Sequence, residues 1–302
     1  MPHYPALLKN RFTVTALVML AGCAIAAAFT WWPRAGEARA TLPSAAAAVP
    51  APQAPTVLAG LSRNFADAAM SGRPIEIGVF GDSFGDGIWF ALNQQLGHEP
   101  AFRLHQLSQR STGFAGWTDM AGDFREKLDL QPLDVAVISF GANDTHGLTF
   151  DGRHHDFMSA EWRRVVGARI DAAVNLLRER GVQVYWIGLP RMRRPAFEAK
   201  ARALNNFYAE RMRALNVPFI DTVAATSDTQ GRYVERLVNP RTGQPMLARA
   251  GDGIHMTMQG YTVLTAGLAR HLRVRVAAAR AEAARINARQ ADAAARAQAT
   301  AG

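Results

Sequence analysis

Hydrophobic and polar positions fall along this chain in two alternating kinds of block. Short, largely apolar runs occur at residues 75–81 (IEIGVFG), 102–107, 135–140 (VAVISF), 182–189 (VQVYWIGL) and 218–221. Each is of strand length and is closed by a turn residue; Gly81, Gly141 and Pro190 end three of them. Between them lie stretches with helical spacing, at residues 88–96, 161–180, 195–215 and 261–276. In the second of these Val165, Ile170, Val174 and Leu177 share one face. Apolar strands alternating with amphipathic helices predict a parallel sheet covered on both faces. The expected fold is therefore α/β: a single three-layer α/β/α domain of flavodoxin-like winding over residues 60–276.

The flanks have a different character. Residues 12–32 carry no charge and are long enough to cross a bilayer core of about 30 Å as a helix. Residues 1–11 form a short basic head with Lys9 and Arg11, and Trp31 and Trp32 stand where an interfacial belt would lie. This order predicts a single-pass signal anchor in an inner membrane, with the domain on the periplasmic side. Two alternatives stay open: lipidation at Cys23, within Leu20-Ala21-Gly22-Cys23, and secretion after cleavage near Ala38-Arg39-Ala40. Residues 33–59, rich in Ala and Pro, read as a semi-rigid linker. Residues 277–302 alternate Ala runs with single Arg residues, which predicts either a solvated helix or one drawn to anionic lipid or cell-wall polymer.

Charge changes the picture only at those ends. The 302 residues have a formal charge of +9. Residues 1–40 hold +3 of it and residues 270–302 hold +5, so the domain between is close to neutral. Nucleic acid binding by the domain has no electrostatic support. A single cysteine forms no intrachain disulfide.

Ligands of doubly wound sheets bind outside the carboxyl ends of the strands, and three polar blocks are placed there. Gly81-Asp82-Ser83 follows the first strand, Gly141-Ala142-Asn143-Asp144 follows the third, and Asp252-Gly253-Ile254-His255 precedes the last helix. Ser83 would be a nucleophile, His255 its general base, and Asp252 the carboxylate that orients the imidazole. An oxyanion would find donors in the Asn143 amide and in the backbone N–H groups of Ser83 and Gly113. Taken singly, each block also reads as an ordinary turn or cap; together, and in this order, they point to acyl transfer through a serine.

In combination the blocks resemble the SGNH/GDSL hydrolase superfamily over residues 75–272. Ser83 stands for its serine, Gly113 for its loop glycine, Asn143 with Gly141 for its GxND, and Asp252 with His255 for its DxxH. STGF at residues 111–114 and WIGLP at 186–190 further resemble a proteobacterial branch described as a domain of unknown function. The resemblance implies hydrolysis of esters, thioesters or acyl groups with no metal or organic cofactor. The substrate it implies is an ester, expected here on a cell-envelope carbohydrate; transfer of the acyl group to a sugar hydroxyl is the alternative, and a non-enzymatic envelope-binding role the second. Ser83 also lies in a formal GxSxG pattern, but no HGGG-type segment precedes it and the acid stands beside the histidine, unlike an α/β-hydrolase.

Softer candidates surround these blocks. Trp89 and Trp117 are positioned to stack on a sugar, or to pack in the core. His146, with Asp151, His154, His155 and Asp156, reads as a substrate-contacting or solvated loop rather than a metal site. Arg191, Arg193 and Arg194 would face an anionic substrate or simply begin a helix.

Overall fold

The computed structural model describes residues 57–301 apart from 240–241. The basic head, the apolar run at 12–32 and residues 33–56 of the linker lie outside the described residues. Among the described residues no helix is long and apolar enough to cross a membrane.

After a 3-10 turn at Val57–Gly60 the elements run α1 (Arg63–Ser71), β1 (Ile75–Gly81), α2 (Ser83–Leu96), β2 (Phe102–Gln106), α3 (Met120–Leu130) and β3 (Val135–Ser139). A 3-10 turn at Ala142–Asp144 leads to the hairpin β4 (Leu148–Phe150) and β5 (Arg153–His155). Then come α4 (Ala160–Glu179), β6 (Gln183–Ile187), α5 (Pro195–Ala214), β7 (Phe219–Ile220) and α6 (Val223–Thr226). A second hairpin, β8 (Arg236–Val238) and β9 (Pro245–Leu247), precedes the closing helix α7 (Met258–Ala301).

Five strands form one parallel sheet in the order β2-β1-β3-β6-β7. Renumbered along the sheet this is 2-1-3-4-5, the expected flavodoxin-like winding, with its switch point between β1 and β3. The crossover through α2 moves one way along the sheet, and those through α3, α4 and α5 move the other. Right-handed connections therefore put α2 on one face and α3, α4 and α5 on the opposite one. The packing agrees: α2 and α1 lie against α7, and α3 lies against α4. The strands bury both faces, every residue of β3 being buried, as the uninterrupted VAVIS run demands.

Two features differ from the sequence expectation. Helix α2 starts at Ser83 rather than near residue 88, because Asp82 caps it by accepting the Phe84 N–H at 2.8 Å. Helix α7 continues well past residue 276. Ala279 and Ala283 are buried, and Arg280 donates to the carbonyls of Gly72 and Arg73. An alanine stripe too narrow to register as amphipathic thus docks against the end of α1, and only the remainder of the tail stands in solvent.

Candidate active site

The turn after β1 leaves the sheet at the switch point and enters α2 directly, which puts Ser83 in the first turn of a 14-residue helix. Its N–H has no intrahelical acceptor there and lies at the positive end of the helix dipole. The Ser83 hydroxyl is 2.7 Å from His255 Nε2, and His255 Nδ1 is 2.6 Å from Asp252 Oδ2. Three residues from two loops 172 positions apart form one continuous relay.

The Asp252–His255 loop owes its shape to side-chain to backbone bonds. Asp252 Oδ1 accepts the N–H groups of Ile254 at 2.8 Å and His255 at 3.0 Å, closing a turn in which Gly253 takes φ +71°. Burial alone would raise the Asp252 carboxyl; its bonds from the imidazole and these two amides outweigh that and hold it at about 2. It is therefore ionised across the working range. Phe84, buried, stacks on the imidazole at 5.3 Å between centroids. Beneath the loop Arg249, 1% exposed, donates to the carbonyls of His255 (3.3 Å), Ile254 (2.8 Å) and Arg191 (2.5 Å) and lies over the Tyr233 ring at 4.8 Å.

Two buried carboxylates frame the opposite side. Asp82 accepts from Phe84 N, from Gly141 N at 3.4 Å and from the Asn143 amide at 3.2 Å. Burial, reinforced by the charge of Asp144, pushes its carboxyl up to about 6 against the pull of these donors. Asn143 thus spends one amide hydrogen on Asp82 and keeps the other. Gly141 turns with φ +143°, and a side chain there would meet Leu189 at 2.9 Å. Asp144 accepts the Ala115 N–H at 2.7 Å and the Tyr208 hydroxyl at 2.9 Å. Burial raises its carboxyl as well. The same carboxylate lies where a side chain on Gly113 would project, 2.4 Å from that Cβ position. Asp144 therefore clamps the Gly113–Ala115 loop beside Asn143.

A cleft of about 590 Å³ opens over Ser83 and His255. Its polar lining is Asp86, Gln106 and Arg110; Asp86 accepts from Arg110, Ser108 and Gln106, which hold it ionised in spite of burial. Its apolar lining is Trp89, Phe90, Met256 and Met258, and Tyr261 packs there against Gly87.

The remaining sequence candidates lie elsewhere. Trp117 packs partly buried against the core under Lys127 and does not line this cleft. His146 is exposed, and its Nδ1 bonds the Gly147 carbonyl. His154 and His155 are on the β4–β5 hairpin, and among the described residues no group of three His, Cys, Asp or Glu side chains is arranged to hold a metal. Arg191 pairs with Glu198 of α5, whereas Arg193 pairs with Glu235 and donates to the Gly251 carbonyl beside the Asp252 loop. Asp82, Asp144, Arg249 and Tyr261 acquire their roles only through space. Of these, the sequence singled out none beyond the first two as parts of blocks.

A profile of the family described as protein of unknown function, DUF459, matches residues 76–271. The chain belongs to that family. No curated protein matches it. Solved structures similar to it include the native aryl esterase of M. smegmatis (19% identity, 66% of this chain and 99% of that one, TM-score 0.45). A carbohydrate acetylesterase from Sinorhizobium meliloti matches at 14% identity over 66% and 99%, TM-score 0.45. A GDSL-like lipase from Bacteroides thetaiotaomicron matches at 16% over 70% and 97%, TM-score 0.46.

Proposed function

We propose that this DUF459 protein is a serine ester hydrolase of the SGNH/GDSL type. The observation that carries the reading is the unbroken relay of Ser83 Oγ, His255 and Asp252 at 2.7 and 2.6 Å on the rim of an open cleft. His255 Nε2 takes the Ser83 proton as Oγ attacks the ester carbonyl, and the tetrahedral oxyanion is met by the Ser83 N–H, the second hydrogen of Asn143 and the Gly113 N–H. Collapse expels the alcohol, which leaves with the proton from His255. Water, deprotonated by the same imidazole, then attacks the acyl-serine, and as the bond to Oγ breaks the proton returns from His255 to Ser83 and the acid is released. Asp252 stays ionised and stabilises the imidazolium in both halves.

The substrate in this proposal is an acyl ester of a cell-envelope carbohydrate. Its hydroxyl-rich part suits the polar lining of Asp86, Gln106 and Arg110. Attachment to the periplasmic face of the inner membrane through residues 12–32 belongs to the same proposal and rests on the sequence pattern. The test is labelling by a fluorophosphonate and turnover of short acyl esters, each compared with Ser83→Ala. Labelling elsewhere than Ser83, or full turnover by the alanine variant, refutes the reading.

A further inference from the structure

Beyond the cleft, a second groove of about 560 Å³ runs along the seam between α2 and α7. Met258, 39% exposed, lines both, so the groove adjoins the catalytic cleft, and His255 is only three residues before Met258. On the α2 side Phe90, 40% exposed in the cleft, and Gln94 in the groove are one helical turn apart and share a face. On the α7 side Met258, Thr262 and Ala266 follow at the same spacing, and Met246 of β9 closes the flank.

Two polar side chains of this groove, Thr262 and Gln95, are committed within the protein, while Gln94 and Gln259 stand exposed in its lining. Thr262 donates its hydroxyl back to the Met258 carbonyl at 2.9 Å. Gln95 donates its amide to Thr265 at 2.8 Å and to the Ala91 carbonyl at 3.0 Å. The rest of its lining, Met246, Met258, Val263 and Ala266, is methyl, methylene and thioether surface, in a groove that shares Met258 with the catalytic cleft. A chain of methylenes laid on that apolar surface would leave water, and the exposed Gln94 and Gln259 amides would keep theirs.

We propose that the α2–α7 groove receives an extended alkyl chain of the ester substrate, so that the protein acts on esters of medium-length rather than acetyl-sized apolar groups. The proposal rests on the reading of Ser83 as the nucleophile. Met258 to Ala266 spans about 12 Å along α7, room for a chain of about ten bonds. Each methylene that enters should raise kcat/KM about three- to fourfold until the groove is full.

Two series of esters on the full-length protein test this: one lengthens the acyl group on a fixed alcohol, the other lengthens the alcohol on a fixed acetate. Ala266→Phe and Thr262→Trp obstruct the groove at two depths, and thermal melting checks that each is folded. A rise with length in either series, with the optimum shortened by the obstructing variants, supports the proposal and assigns the chain to the acyl or the alcohol side. Flat profiles in both series, with short esters turned over and Ser83 labelled, overturn the groove while leaving the serine reading intact. A rise that neither obstruction shortens also overturns it. Absence of turnover together with absence of fluorophosphonate labelling removes the serine reading and this proposal with it.

Discussion

Replacing Asp82 by Asn tests the connection between the buried frame and the oxyanion donors. Its carboxyl stands at about 6 rather than the usual 3.8. That difference of about two pH units corresponds to about 3 kcal/mol. The folded form binds the proton more tightly than the unfolded one, so this contribution to stability is fully present below pH 3.8 and is lost as pH rises through 6. At pH 7 the Asn variant escapes the charge penalty. Its Oδ1 still accepts the Phe84 N–H, but its NH₂ now faces the Gly141 N–H and the Asn143 NH₂, which the carboxylate had accepted. Two donors left without acceptors cost about 1–3 kcal/mol each, so relief and loss nearly cancel. The variant should melt close to wild type at pH 7 and show a flatter dependence of stability on pH between 4 and 6. Activity should not be spared. Asn143 loses the partner that aims it, and loss of one oxyanion donor lowers kcat about 10²- to 10³-fold. Urea unfolding across that pH range, paired with turnover of a short acyl ester, reads both effects. A D82N protein with wild-type kcat would refute the proposed role of Asp82 as the residue that positions Asn143.

Other substitutions separate the remaining parts of the site. Asp252→Asn keeps a group of the same shape beside His255 but removes the ionised acceptor, so kcat should fall on the order of 10⁴-fold, measured with active sites titrated by fluorophosphonate. Gly113→Ala forces a methyl onto the Asp144 carboxylate; it should lower stability by about 1–3 kcal/mol and reduce kcat, with denaturant midpoints and turnover as the measures. Arg249→Met removes the side-chain donor to the carbonyls of Arg191 and Ile254, and one of the two donors to that of His255, which keeps the Ala250 N–H. It should lower kcat at least tenfold with less than a twofold change in KM, because the cleft walls are untouched; an equal loss in both constants would contradict a positioning role.

The sheet was legible because its central strands β1, β3 and β6 are largely buried on both faces, a pattern that a helix of the same length does not produce beside glycine turns. The elements that escaped are those whose apolar content is thin. In α3 only Met120, Phe124 and Leu128 are buried, spaced one turn apart among acidic and basic residues. The two hairpins have three-residue strands, too short for any period to register. Gly85 and Gly87 disguised the first turn of α2, where close packing excludes side chains: the Phe80 carbonyl lies 3.2 Å from a Cβ on Gly85, and the Tyr261 ring 2.2 Å from one on Gly87. The members of the relay could be named because they hang from strand and helix ends, where chain order implies position. Trp117 could not be judged that way. It follows Gly113 closely in sequence, yet Lys127 and the core hold it away from the cleft.

The placement of the two buried aspartates explains why the second block contains both Asn143 and Asp144. An amide side chain rotates freely unless an acceptor holds it, and in this protein the acceptor is a carboxylate two strand ends away in sequence but adjacent at the switch point. A neutral acceptor in place of Asp82 would bind one of the three donors that converge there; an ionised carboxylate can take them all. Asp144 does the same for the loop of Gly113, with Tyr208 and two backbone amides as its donors. Burial raises both carboxyls, so the frame is held in a state that charge desolvation opposes and hydrogen bonding favours. Such an arrangement contributes little net stability. Under the proposed function its effect is to hold the candidate oxyanion donors in place before substrate arrives, which is where electrostatic catalysis gains most of its rate.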